Sequence, residues 1–190
     1  MKSSLAVMAL VAVLAAAGGY FAAQHLQPGS GGDKATTEYA GDTEALKPED
    51  LLGQPRPDFS HRDSSGRTVS ASDFNGQPLL LNFWATWCTP CVDEMPMLSK
   101  LQDDWSDSGL NIVGIALDDA ERAAAFAADM NLSYPVLLGA TDVVVTGRRY
   151  GNRSGMLPFS VLVDSQGIIR WSYMGVLKRA QLEQALADID

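Results

Sequence analysis

The sequence has very few cysteines and histidines and a deficit of positive charge. Its two cysteines, Cys88 and Cys91, stand three residues apart among 190 residues, which excludes the multi-disulfide framework of small secreted domains. A structural zinc site needs four ligands, and His25 and His61 are distant from the cysteines in the chain. With 14 Lys and Arg against 23 Asp and Glu, the net charge of −9 argues against a nucleic-acid partner. We therefore predict no bound metal, no cofactor and no nucleic acid.

A segment without any charged residue extends from residue 5 to residue 23, after Lys2. Its length lies between the core of a secretory signal peptide and a minimal membrane-spanning helix. We predict an uncleaved signal anchor over residues 1–25. A signal peptide that is cut after the small residues at 15–18 is the alternative. In both cases the rest of the chain is exported. An anchor would leave the positively charged N-terminus on the cytoplasmic side of the membrane.

Residues 26–50 offer little that a folded core would bury. The stretch contains Pro-Gly-Ser-Gly-Gly at 28–32 and scattered charges. We predict a flexible linker with an end-to-end distance of about 25–30 Å. From residue 51 the composition becomes that of a globular domain, which we place at residues 51–190.

Predicted strands and helices alternate along residues 51–190. Apolar runs at 79–85 and 111–117 predict central strands covered on both faces. Turn sequences predict β-hairpins at 58–69 and 159–174, and a shorter strand is predicted at 134–138. Helices are predicted at 89–105, 120–130, 143–150 and 177–189, with Asp118 and Asp119 as candidate caps of the second. This order predicts an α/β fold with a central mixed β-sheet, helices on both faces and an N-terminal β-hairpin.

The two cysteines lie where the first long strand is followed by the first long helix. Pro90 suits the first helical turn, because its missing N–H would be unpaired there. Cys88 is therefore placed at a helix N-terminus, where backbone N–H groups and the helix dipole favour a thiolate. Cys91 is one turn further along and deeper. We predict a redox-active disulfide with Cys88 as the nucleophile and Cys91 as the resolving residue. The alternative is an inert disulfide, but so short a loop restrains little chain entropy.

Two strings of residues resemble a known family. Residues 83–91, Phe-Trp-Ala-Thr-Trp-Cys-Thr-Pro-Cys, and the later Leu157-Pro158-Phe159 are similar to the TlpA/ResA-like family of membrane-tethered, thioredoxin-like disulfide reductases. The opening at 52–59 is similar to that family's entry into its hairpin. Trp87, adjacent to Cys88, is a candidate for substrate contact, and packing in the core is its alternative. The resemblance implies a thioredoxin fold, a cis peptide bond before Pro158 and a peptide-binding surface beside Cys88, where the backbone of Leu157 pairs with the substrate. An ordinary trans proline is the alternative.

Glu94 is the most informative polar residue of the predicted helix. At 100° per residue it falls on the same arc as Cys91 and the apolar side chains that follow. A carboxyl group there would be partly desolvated, its pKa would be raised, and it would suit proton exchange with the resolving thiol. The resemblance supports this role, because ResA-like proteins carry a glutamate at the matching place. The position of thioredoxin's buried aspartate is Asn82 here, which cannot titrate. An exposed first-turn carboxylate is the alternative.

These features predict an enzyme, a thiol–disulfide oxidoreductase that works as a reductant of protein disulfides. We predict a monomer on the periplasmic side of a bacterial inner membrane or, if the signal segment is cleaved, soluble in the periplasm. In that oxidising compartment a reductant needs electrons, so a membrane thiol-reductant protein is the predicted donor. Substrates implied by the resemblance are apocytochrome c or proteins of copper-site assembly. Two alternatives remain: a copper-binding assembly factor, which would want a histidine after the cysteines, and a thiol peroxidase, which would want a Pro-x-x-x-Thr-x-x-Cys spacing that Thr86 and Cys88 lack.

Overall fold

A computed structural model describes residues 47–189, except residues 106, 108 and 140. The predicted signal segment at 1–25 and the predicted linker up to residue 46 lie outside the described residues. Within the described part of the chain, no helix combines the length and the apolar composition that crossing a membrane requires.

The described residues form seven strands and four α-helices, close to where the sequence predicts them. The strands are β1 (Ser60–Asp63), β2 (Thr68–Ser70), β3 (Leu79–Trp84), β4 (Asn111–Leu117), β5 (Val136–Gly139), β6 (Phe159–Val163) and β7 (Ile169–Met174). The helices are α1 (Thr89–Trp105), α2 (Ala120–Asp129), α3 (Thr141–Arg149) and α4 (Arg179–Ala187), with short 3-10 helices at Pro48–Leu51 and Ala71–Phe74.

The strands form one mixed sheet in the order β2-β1-β5-β4-β3-β6-β7. β4 is parallel to β3 and β5, and the other neighbouring pairs are antiparallel. The two long apolar strands, β3 and β4, lie in the middle of the sheet. Their residues are apolar on both faces because helices cover both faces of the sheet there. The predicted α/β architecture, with a mixed sheet and an N-terminal hairpin, is confirmed.

β3 supplies side chains to two separate cores, since successive residues of a strand point to opposite faces. Leu80 and Trp84 pack in the core that also contains Cys88 and Cys91. Leu81 and Phe83 pack on the other face, together with Val143 of α3. Asn82 is the single polar residue of this strand, is fully buried and lies on the cysteine side, where it meets Glu94.

Several element boundaries differ from the predicted ones by one or two residues, among them both ends of the last helix, of α3 and of β5. The last helix begins at Arg179 and not at residue 177, because the chain up to Lys178 remains extended. The linker was predicted to extend to residue 50, but Pro48–Leu51 is helical and Leu51 is buried. Gly151 packs so closely against this turn that a Cβ there would come within 2.7 Å of the Pro48 backbone. The ordered chain thus includes the last residues assigned to the linker.

Gly114 lies in the middle of β4, opposite Asn82 on β3. A Cβ at this position would come 3.0 Å from Nε1 of Trp84 and 3.1 Å from Cε2 of Tyr134. Both rings are buried, at 0% and 4% exposed, and neither can turn toward solvent. The absence of a side chain at Gly114 is therefore what allows the two rings to pack over the strand.

The Gly114→Ala variant should be less stable than the wild type by about 1–3 kcal/mol, because the added methyl group overpacks a closed core. Gly147→Ala in α3 is the matched control: its Cβ would meet the Phe83 ring at an ordinary 3.7 Å. Relief of the glycine penalty in a helix should make that variant more stable by about 0.5–1 kcal/mol. Urea unfolding of the three proteins measures both values. Equal effects of the two substitutions would contradict this account.

Candidate active site

The cysteine pair occupies the junction between β3 and α1. Cys88 directly precedes α1, and its carbonyl oxygen accepts the N–H groups of Cys91 and Val92 at 3.0 and 3.2 Å, which begins the helix. The two cysteines form a disulfide with their Cα atoms 5.3 Å apart. Cys88 keeps 5% of its surface accessible, whereas Cys91 has none. The structure therefore has Cys88, the less buried of the two cysteines, at the helix N-terminus and Cys91 within the helix, as predicted.

The loop that leads into Cys88 is anchored by Asp118. The Thr86 N–H and hydroxyl both donate to the Asp118 carboxylate, which also pairs with Arg122 at 3.1 Å. Burial works to raise the pKa of Asp118, but the hydrogen bonds from Thr86 and the charge of Arg122 outweigh it and hold the pKa below its ordinary 3.8. Asp118 and Asp119 were both predicted as candidate caps of α2. Only Asp119 caps this helix, where its carboxylate accepts the Arg122 N–H at 3.0 Å.

Glu94 is 2% exposed and is held by two hydrogen bonds. One carboxylate oxygen accepts the side-chain amide of Asn82 at 2.7 Å, and the other accepts the backbone N–H of Leu177 at 2.6 Å. Burial raises the pKa of Glu94, and the hydrogen bonds from Leu177 and Asn82 offset part of that effect. The alternative of an exposed carboxylate is therefore wrong. The role of Glu94 in proton exchange stays a prediction.

Three residues around Glu94 were not assigned to the site from the sequence. The Asn82 amide also donates to the hydroxyl of Ser160 at 3.0 Å, and both residues are fully buried. Tyr134 is close enough that the negative charge of Glu94, added to burial, raises the pKa of its phenol. One signal was available: Asn82 and Ser160 are polar residues within apolar strands, where a buried polar group needs a partner. The sequence alone identifies Asn82 only as a residue that cannot titrate.

The loop that contains Pro158 borders the core in which the cysteines lie. The Leu157–Pro158 peptide bond is cis, the form that the resemblance implies. Leu157 packs against the core that contains both cysteines. The Pro158 carbonyl accepts the Gly175 N–H at 2.9 Å, which continues the pairing of β6 with β7. The structure thus brings Leu157 and Pro158 to the cysteine site, while their substrate contacts stay a prediction.

Exposed apolar side chains border this region. Among the described residues, four large hydrophobic side chains are exposed, and three adjoin elements of the site. Trp87, 66% exposed, precedes Cys88; Met156, 59% exposed, lies two residues before Pro158; Val176, 40% exposed, precedes Leu177. Apolar side chains exposed next to the residues of a reactive site are typical of a binding site for another protein segment. We call these three residues the apolar rim.

His61 lies away from the cysteines. It is on β1, which is separated from β3 in the sheet by β5 and β4. Its ring nitrogens face Asp142 Oδ2 at 3.1 Å and Thr146 Oγ1 at 2.8 Å. Across the ranges that the structure describes, no group of three or more His, Cys, Asp or Glu side chains is placed to hold a metal ion. His61 is thus not available as a third ligand beside Cys88 and Cys91.

The Glu94→Gln variant should change how stability depends on pH. Because the folded pKa of Glu94 is raised above 4.5, the unfolded chain releases this proton first as the pH rises. The free energy of unfolding of the wild type, relative to the variant, should therefore be highest below pH 4.5 and fall as the pH rises through the folded pKa. In acid, where this difference is largest, the variant should be less stable by about 1–3 kcal/mol, since its amide turns N–H groups toward one of the two donors.

Chemical unfolding of both proteins between acid and neutral pH measures this difference. Asp93→Asn is the control, because Asp93 is the neighbouring carboxylate and is exposed. A wild-type stability that rises with pH relative to the Glu94→Gln variant would contradict the raised pKa.

Comparisons with known proteins agree with this site. Residues 52–172 match the AhpC/TSA family. The chain is 36% identical over 142 residues to the thioredoxin-like protein YneN of Bacillus subtilis, which covers 73% of this chain and 79% of that protein. It is 31% identical over 139 residues to the thiol-disulfide oxidoreductase ResA of Bacillus anthracis, covering 73% of this chain and 78% of that protein.

Solved structures have the same fold. The thioredoxin domain of a thiol-disulfide oxidoreductase from Bacteroides vulgatus superposes with a TM-score of 0.64 at 26% identity, covering 73% of this chain and 98% of that one. A thiol:disulfide interchange protein from Chlorobium tepidum gives a TM-score of 0.63 at 25% identity, covering 71% and 94%. The predicted thioredoxin fold is confirmed. The chain belongs to the AhpC/TSA family and, within it, to the TlpA/ResA-like thiol-disulfide oxidoreductases.

Proposed function

We propose that this oxidoreductase is exported, stays tethered to the membrane by residues 1–25, and reduces disulfides of protein substrates. The observation that carries the proposal is the asymmetry of the cysteine pair. Cys88 is accessible at the start of α1 and next to the apolar rim, and Cys91 is fully buried. Attack on a partner disulfide is therefore assigned to Cys88, the less buried of the two, and resolution to Cys91.

The reaction starts from the dithiol form and moves two electrons. The Cys88 thiolate attacks one sulfur of a substrate disulfide, a mixed disulfide forms, and the other substrate sulfur leaves as a thiolate. The Cys91 thiol then transfers its proton to ionised Glu94 and attacks the sulfur of Cys88, which releases the second substrate sulfur as a thiolate. The substrate thiolates take up protons, and the protein is left as the Cys88–Cys91 disulfide. A dithiol donor reverses these steps and restores the enzyme.

The cellular setting completes the proposal. The enzyme works as a monomer on the periplasmic side of a bacterial inner membrane, where an oxidising environment requires a membrane thiol-reductant protein as donor. The uncharged segment at 5–23 and the linker-like composition of 26–50 support the tether. The apolar rim suits an extended segment that contains cysteines, such as the haem-binding segment of apocytochrome c or a protein of copper-site assembly.

Substitution of each cysteine separates the two roles. In cells, Cys91→Ser should accumulate mixed disulfides with substrate proteins, because nothing resolves the bond on Cys88. Cys88→Ser should accumulate none, since its remaining sulfur is fully buried. Non-reducing electrophoresis and mass spectrometry of purified adducts measure both, with the double serine variant as control. Adducts on Cys88→Ser together with none on Cys91→Ser would reverse the assignment.

The reduction potential tests the direction of electron flow. A reductant should equilibrate with glutathione or dithiothreitol at a potential near that of thioredoxin, about −270 mV. Tryptophan fluorescence in redox buffers gives the value, because Trp87 lies next to Cys88 and reports its state. A potential near that of strong oxidants, about −120 mV, would disprove the reducing role and leave the oxidoreductase class intact.

A further inference from the structure

The short segment Gly175-Val176-Leu177, between β7 and α4, contacts both functional parts of the site. The Gly175 N–H donates to the carbonyl of Pro158 at 2.9 Å. Two residues later, the Leu177 N–H donates to Glu94 Oε2 at 2.6 Å. The segment thus joins the loop beside the cysteines to the buried carboxylate through two backbone hydrogen bonds. We call it the connecting segment.

The path of the connecting segment depends on Gly175. Its φ is +126°, a conformation that residues with a Cβ rarely adopt. A Cβ there would meet only the Tyr173 ring, at an ordinary 3.5 Å, so the requirement for glycine comes from the backbone and not from lack of space. This turn is what allows the chain to leave β7 and direct the next N–H groups inward.

The middle and the end of the segment face different surroundings. Val176 is 40% exposed and belongs to the apolar rim, whereas Leu177 is buried in the core that contains Cys88 and Cys91. A protein that covers Val176 therefore presses on a stretch of backbone whose next N–H holds Glu94. A displacement at Val176 is one residue away from the Leu177 bond to Glu94 and one residue away from the Gly175 bond to Pro158.

We infer that the connecting segment is a positioning element through which a substrate protein docked on the apolar rim changes how tightly Glu94 holds its proton. The inference rests on the proposed function, since it takes a protein disulfide as substrate. The occupant is an extended cysteine-containing segment with apolar side chains, which the exposure of Trp87, Met156 and Val176 favours. Val176 and Leu177 act through Glu94 and do not themselves exchange protons.

The direction of the effect follows from the groups that face Glu94. Its hydrogen-bond donors are the Asn82 amide on β3 and the Leu177 N–H, and Cys91 precedes it by one turn on α1. Burial and, to a smaller extent, the charge of Glu94 raise the pKa of the Tyr134 phenol. The N–H donors stabilise the ionised carboxylate, and burial opposes it. A longer and weaker hydrogen bond from Leu177 therefore raises the pKa of Glu94, and a shorter one lowers it.

The first test uses Gly175→Ala in the full-length protein. We expect the Glu94 titration midpoint, followed by NMR of ¹³C-labelled glutamate and identified with Glu94→Gln, to rise by about one pH unit. The pH profile of the resolving step should move upward by the same amount, which a merely structural role would not produce. Gly66→Ala is the control, because Gly66 also has a positive φ of +83° and open space, but lies in the β1–β2 turn. A folded Gly175→Ala protein with an unchanged midpoint would overturn the inference.

The second test leaves the connecting segment unaltered. In the Cys91→Ser protein, Cys88 is joined chemically to a short apolar peptide with one cysteine or, as the matched adduct, to glutathione. The peptide should shift the Glu94 midpoint, while glutathione, which has little to bury on Val176, should not. Equal midpoints in the two adducts would refute the inference. Because both adducts are prepared chemically, this result is independent of whether substrate proteins are trapped in cells.

Discussion

A carboxylate placed almost out of reach of water constrains the whole active-site half of this molecule. Glu94 projects from α1, and its two oxygens are met by the Asn82 amide on β3 and by the backbone N–H of Leu177. An ionisable group in such a place is tolerated only when its hydrogen-bonding capacity is met. Strand, helix and the chain before α4 must therefore keep one relative arrangement, and the cysteines at the start of α1 are held within it.

The same arrangement separates the tasks of the two sulfurs. Helix geometry puts Cys88 at the N-terminus, next to exposed Trp87, and turns Cys91 inward to the face that carries Glu94. An accessible sulfur next to backbone N–H groups is suited to attack, and a buried one near a carboxylate with a raised pKa is suited to resolution. The chemistry of a thiol–disulfide oxidoreductase thus depends on which side of one helical turn each residue occupies.

Features governed by local physics were predictable. The apolar runs at 79–85 and 111–117 identified the central strands, and Pro90 with the periodicity of the following residues identified the start of α1 and the burial of Glu94. The misassignments occurred where partners are distant in the sequence. Asp118 looked like a helix cap because Asp119 is next to it, yet its partner is Thr86, 32 residues earlier. Leu177 was assigned to the last helix, although its N–H is used by Glu94, 83 residues away.

The sequence by itself determined the family, the mixed α/β fold and the two cysteines, because motif spacing and hydrophobic periodicity are properties of neighbouring residues. Only the tertiary structure decided what surrounds those cysteines. It brought the Asn82 amide to Glu94 and the Gly175 N–H to the Pro158 carbonyl, and it left Trp87, Met156 and Val176 exposed beside residues of the site. Contacts of this kind depend on how strands and loops pack across the sheet, and no local pattern in a single chain specifies them.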